Sequence, residues 1–183
     1  MQKLVLACLA VLLWGCDTPR GHGPDTPYYR FPPDSRLTLN RALEIPAGWA
    51  TARIQNGRVV PFGQVEEYLP HCIFEIGTVR ETPQRVEPDT FAIVRVERSE
   101  STLAAASSGL FLFVGNAWAD PERPSQMFYK TVFILRSARQ PGVRRLTCQS
   151  DQYAAGVGIP RHLTVPEIRR ALGDLFTLEL PGA

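Results

Sequence analysis

The dipeptide Asn56-Gly57, within ATARIQNGRVV (50–60), constrains this chain more than any other feature. Asn-Gly favours the two-residue type I′ turn, whose backbone twist matches that of two antiparallel strands. On the first arm Ala50, Ala52 and Ile54 alternate with Thr51, Arg53 and Gln55. A period of two turns the first set inward and the second outward. The same signature recurs downstream. CIFEIGTV (72–79) places Cys72, Phe74 and Ile76 on one face. FAIVRVER (91–98), LFLFV (110–114) and the long β-branched and aromatic FYKTVFILRS (128–137) follow, and RRLTCQS (144–150) places Leu146 and Cys148 together. Sixteen prolines and fourteen glycines punctuate these runs, which suits strands better than a helix bundle. ERSESTLAAASSG (97–109) predicts an exposed loop or short helix, and NAWADPERPSQ (116–126) a second loop.

One helix stands out near the C-terminus. In TVPEIRRALGD, Thr164 is the N-cap and Glu167 completes a capping box. Pro166 sits in the first turn, where its missing N–H costs nothing, and Gly173 ends the helix. Val165, Ile168, Ala171 and Leu172 form the apolar stripe, with Arg169 and Arg170 facing out. LFTLEL (175–180) reads as a last strand. The expected class is α+β and strand-dominated: a mostly antiparallel sheet, sandwich or partly open barrel of about six to eight strands with one short C-terminal helix.

The opening residues concern location. Lys3 precedes an apolar run from Leu4 to Trp14, about half the roughly 20 residues a spanning helix needs, but the right length for the core of a signal peptide. Leu13, Gly15 and Cys16 resemble the lipobox of bacterial lipoproteins, with Trp14 where a small residue is usual. The resemblance implies cleavage after Gly15 and a diacylglycerol thioether on Cys16, with a further acyl chain (palmitate or similar) on the new amino group. Two or more chains anchor stably where one does not. The division that follows is a signal peptide over 1–15, a lipidated Cys16 with a Pro-rich tether over 16–36, and a single β-rich domain over 37–183. Location is then the cell envelope, with the domain facing the periplasm; Asp17 leaves inner against outer membrane open. An ordinary secretory signal or N-terminal anchor, with Cys16 incidental, is the other reading. In the tether, Tyr28, Tyr29 and Phe31 either dock on the domain or hold a membrane or partner, and docking is expected.

Cys8 leaves with the signal peptide, so Cys72 and Cys148 remain. In an exported domain they most simply form a disulfide. Buried free thiols, and a nucleophilic cysteine served by a histidine, stay open. Adjacent residues on a strand face opposite ways, so His71 does not activate Cys72; His162 is the remaining partner for a Cys/Ser–His hydrolase. The spacing of Cys and His lacks the short pairs of a zinc site, and His22 stands alone between glycines. No Walker loop, G-x-G-x-x-G, H-E-x-x-H or G-x-S-x-G motif is present. A net charge of only +2 gives no field pointing to nucleic acid. The combination IQNGRVV, PHCIFEI, RRLTCQS and LTVPEIRRALGDLFTLEL is similar to uncharacterised lipoproteins of Gram-negative proteobacteria, which implies placement and no activity. The expectation is a non-enzymatic envelope protein without catalytic residue, metal or cofactor. It is held to the membrane through Cys16 and binds an envelope protein or cell-wall partner, with Trp118, Tyr28, Tyr29 and Phe31 as candidate interaction residues.

Overall fold

The Asn-Gly hairpin forms where its sequence places it. The computed structural model describes residues 23–103, 126–150 and 161–182. Asn56 (φ 51°) and Gly57 (φ 74°) both take the positive φ of a type I′ turn. They join β3 (Thr51–Gln55) to β4 (Arg58–Val60). The remaining strands are β1 (Arg36–Leu39), β2 (Leu43–Ile45), β5 (His71–Ile76), β6 (Gln84–Val86), β7 (Asp89–Leu103), β8 (Gln126–Arg136), β9 (Val143–Gln149) and β10 (Phe176–Glu179). Eight of them make one antiparallel sheet in the order β10-β1-β7-β8-β9-β5-β3-β4, curled as a half-barrel, while β2 and β6 pair separately. Among the described residues no helix is long and apolar enough to cross a membrane.

Period-two side chains build the inner face row by row. Ile54, Cys72, Cys148 and Thr131 lie side by side across β3, β5, β9 and β8; Ala52, Phe74, Leu146 and Phe133 form the next row. All eight are buried. Phe74 also touches Phe91 of β7 and Phe176 of β10, at ring-centroid distances of 5.9 and 5.4 Å. Two strands separate β5 from β7 in the sheet and four separate it from β10, so these contacts exist because the sheet curls over itself.

Helix α1 (Val165–Leu172) fills the concavity with Val165, Ile168, Ala171 and Leu172. Both halves of its capping box are made: the Thr164 hydroxyl accepts from the Glu167 N–H, and the Glu167 carboxylate accepts from the Thr164 N–H at 2.7 Å. Arg161 donates two further bonds to that carboxylate, each 2.7 Å, and together with the capping bonds holds its pKa down to about 2. At the other end the Gly57 N–H donates to the Ala171 carbonyl at 3.0 Å, satisfying one of the groups a helix terminus leaves open. The approach is close: a Cβ on Gly173 would sit 2.6 Å from the Gly57 Cα.

Cys72 and Cys148 are bonded, directly opposite each other on β5 and β9 with Cα atoms 4.1 Å apart. The bridge lies within one sheet and does not link two. Of the stretch read as a tether, the part from Gly23 onward packs on the domain. Pro24 accepts the Val165 N–H, and the Tyr29 carbonyl accepts from Arg98 at 2.6 Å. Tyr29 is buried and Phe31 stacks edge-on against Phe133 at 4.9 Å, while Tyr28 is exposed.

Residues 97–103, expected in a loop or short helix, instead continue β7, because each pairs with a residue of β8 from Glu97↔Val132 to Leu103↔Gln126. Gln55, on the outward side of β3, is buried. The expected strand at 110–114 lies outside the described residues.

Phe74→Ala is expected to cost about 3–5 kcal/mol in urea unfolding, the range for removing a fully buried aromatic ring. Replacing Cys72 and Cys148 together by Ala is expected to cost about 2–4 kcal/mol, since a long closed loop loses most of its unfolded-state restriction. A double variant with an unchanged unfolding midpoint would contradict the bridge.

Candidate interaction surface

The residues singled out from sequence do not converge on one site. Cys16 and Trp118 lie outside the described residues. Tyr29 and Phe31 are taken up by packing, which leaves Tyr28 alone of that trio on the surface. Both cysteine sulfurs are bonded. His71 faces away from Cys72, as the strand alternation requires, and makes its own contacts. His162 packs edge-on against Tyr129 at 5.4 Å, with its Nδ1 buried and without a hydrogen-bond partner among the described residues. Among the described residues no three His, Cys, Asp or Glu side chains gather as metal ligands.

A different region carries the exposed apolar surface. It is built by the end of the sheet at β3 and β4 and by the loop of residues 61–70, PFGQVEEYLP. A loop this rich in large apolar residues normally turns them inward. Here the underlying sheet holds the loop by polar bonds instead. Gln55, from β3, donates to the Glu66 carbonyl at 2.8 Å and accepts from the Glu66 N–H at 3.1 Å. His71, from β5, donates Nδ1–H to the Leu69 carbonyl at 3.0 Å, which leaves Nε2 to accept from the Gln149 amide at 3.2 Å. Gln55, His71 and Gln149 are all buried on the outward face. Each of these three side chains therefore has a partner, and the loop backbone supplies most of them.

With the loop backbone pinned, its side chains face solvent. Phe62 is 66% exposed, Tyr68 58% and Leu69 41%; Val59 of β4 and Trp49, just before β3, are also exposed. Trp49 and Phe62 pack with ring centroids 5.0 Å apart and planes tilted by 31°. The Arg53 guanidinium lies over both rings, 4.5 Å from the Phe62 centroid and 5.7 Å from that of Trp49. Its charge is thus engaged by ring faces. A cleft of about 170 Å³ opens among Pro46, Trp49, Val59, Val60, Pro61 and Phe62. A second depression, about 390 Å³, shares Arg53 and Phe62 with it and is rimmed by Glu66, Glu67 and Tyr68. A contiguous exposed apolar patch with a polar rim is the ordinary signature of an interaction site.

Sequence reasoning missed Trp49, Phe62, Tyr68 and Leu69. None falls in a periodic run, and the available signal was several large apolar residues between prolines and a glycine, where a solvated loop carries few. No protein-family profile, curated protein or solved structure matches this chain.

Burial holds the His71 pKa below its ordinary value and Arg53 adds to this, against the bond with Leu69 and the nearby charge of Glu67. Burial lowers His162 as well, helped by Arg98 and opposed by Glu100 and a hydrogen bond with the Lys130 backbone. Both groups are therefore neutral in the folded chain over a range where the unfolded chain begins to charge. Stability is full above the unfolded histidine pKa of about 6.5 and falls as pH drops through it towards the lower folded values. The urea midpoint is expected to fall between about pH 7.5 and 5, and His71→Gln to flatten that slope. Equal slopes in the two proteins would rule out His71 as a contributor. Glu167 adds a further loss only below its unfolded value of 4.5, down to about 2.

Proposed function

We propose that this chain is a non-enzymatic, lipid-anchored protein of the bacterial cell envelope whose β-rich domain binds a partner through the surface around Phe62. The observation that carries the binding function is the exposed group of Phe62, Tyr68 and Leu69, held out by a loop that buried polar bonds fix from below, with exposed Trp49 and Val59 beside it. Such a surface is expensive to leave bare in a soluble domain and is retained where something covers it. The disulfide supports export, since such bonds persist in oxidising compartments. The lipobox-like Leu13-Trp14-Gly15-Cys16 supports the anchor. Between Cys16 and the docked segment at Gly23 the chain reaches about 25 Å at full extension, so the proposed anchor holds the domain near the headgroups.

A Cys/Ser–His hydrolase is the weaker reading, because the bonded sulfurs of Cys72 and Cys148 remove the cysteine nucleophile.

Two measurements test the proposal. Intact mass of the chain isolated from its own membranes is expected to lack residues 1–15, to carry acyl mass on Cys16, and to gain two hydrogens on reduction. An unmodified Cys16 removes the lipid anchor from the proposal. A photo-crosslinking amino acid at Phe62 is expected to capture a discrete adduct in intact cells, while the same group at exposed Val94, on β7, captures none. Equal yields at both positions overturn the assignment of the surface.

A further inference from the structure

Among the described residues, the strand at one end of the sheet, β4, has no neighbour on its far side. Its register with β3 pairs Gln55 with Arg58, Ile54 with Val59 and Arg53 with Val60. In a two-residue hairpin the pair flanking the turn exchanges both backbone hydrogen bonds, and the next pair exchanges none. The N–H and C=O of Val59 therefore point away from β3, towards the open edge. Pro61 follows Val60 and offers no N–H, so the free edge is short and centred on Val59.

This edge runs beside the apolar cleft lined by Trp49, Val60 and Phe62. The adjoining depression is acidic: Glu66 and Glu67 rim it, both residues are exposed, and neither side chain enters an ion pair among the described residues. Arg53, the cation that lines the same depression, is engaged by the two aromatic rings. A sugar ring stacking on Phe62 would have to displace the guanidinium that lies over it, and Trp49 packs beside that ring. Free backbone groups, an apolar cleft and an acidic rim in succession suit an extended polypeptide instead.

We infer that this surface takes an extended peptide segment of a partner protein, which pairs with Val59 at the edge of β4. The segment sets an apolar side chain in the cleft beside Trp49 and Phe62 and points a lysine or arginine at Glu66 and Glu67. The inference rests on the binding function proposed above and names the chemistry of the partner.

The test pans a phage-displayed peptide library on the full chain and, in parallel, titrates soluble muropeptides and glycan strands against it. Enriched sequences are expected to combine a large apolar residue with a basic one a few positions away. The best synthetic peptide is expected to lose about tenfold or more in affinity on Val59→Pro and on Glu67→Lys. Proline at 59 removes a donor that the β3–β4 ladder does not use. If that variant fails to keep the wild-type thermal midpoint, Glu67→Lys decides, since its side chain is exposed. Peptides without basic residues, or affinities indifferent to the folded variants, overturn the inference and leave the binding function standing. Binding of the glycan probes with no peptide enriched, abolished by Phe62→Ser, does the same. No ligand of either kind overturns both.

Discussion

The curl of the sheet is the constraint on which the rest depends. A flat eight-stranded sheet with one apolar face would need a second layer of comparable size to cover it. Among the described residues there is one eight-residue α-helix to offer. Curling lets the inner face cover much of itself, with Phe74 of β5 reaching Phe91 and Phe176 on strands that are far away in the sheet order. Helix α1 then needs to fill only the residual space, which its four buried side chains do. The hairpin turn and the helix end meet through Gly57 and Gly173, where any side chain would force the backbones apart. Strand pairing, helix length and glycine placement thus answer one geometric requirement.

Much of this was legible from short-range pattern. The turn at Asn56-Gly57, the inward faces of β5 and β9, and the caps of α1 are local signals, each set by residues within a few positions of one another. The strands that were missed fall below that resolution. β1, β2 and β6 are three or four residues long with at most two inward apolar positions, and a period cannot be read from so few. The extension of β7 over 97–103 failed for another reason. Glu97, Arg98, Ser99, Glu100 and Ser101 have poor strand propensity, and only their pairing with β8 makes them a strand.

The interaction surface was the least legible part, because it arises from an inversion of the usual arrangement. The outward side chains Gln55 and His71 are buried beneath a loop whose apolar side chains are outside. Alternation identified Gln55 as outward-facing but says nothing of a covering loop. The pairing of side-chain amide and imidazole with loop backbone depends on positions that are distant in sequence, so no local motif announces it. Tyr28, Tyr29 and Phe31 are conspicuous aromatics in a Pro-rich stretch, expected to dock on the domain; Tyr29 lies in the core and Phe31 packs against it, while Tyr28 is exposed.

The pairing of β1 with both β7 and β10 has a consequence for how the chain reaches its native state. Leu37 lies opposite Phe91 on one side and Leu178 on the other, so the first strand of the sheet is flanked by the last. The hairpin turn likewise waits for the helix end at Gly173. Contacts of such wide sequence separation form slowly, since a long loop must close before they repay its entropy. A chain emerging N-terminus first can build β3, β4 and β5 early, but its open side stays unsealed until β10 has been made. Until then the inner face of β1 and the apolar row behind it are exposed to whatever surrounds the nascent chain. A domain wired in this way depends on protection during its own synthesis far more than its modest size would suggest.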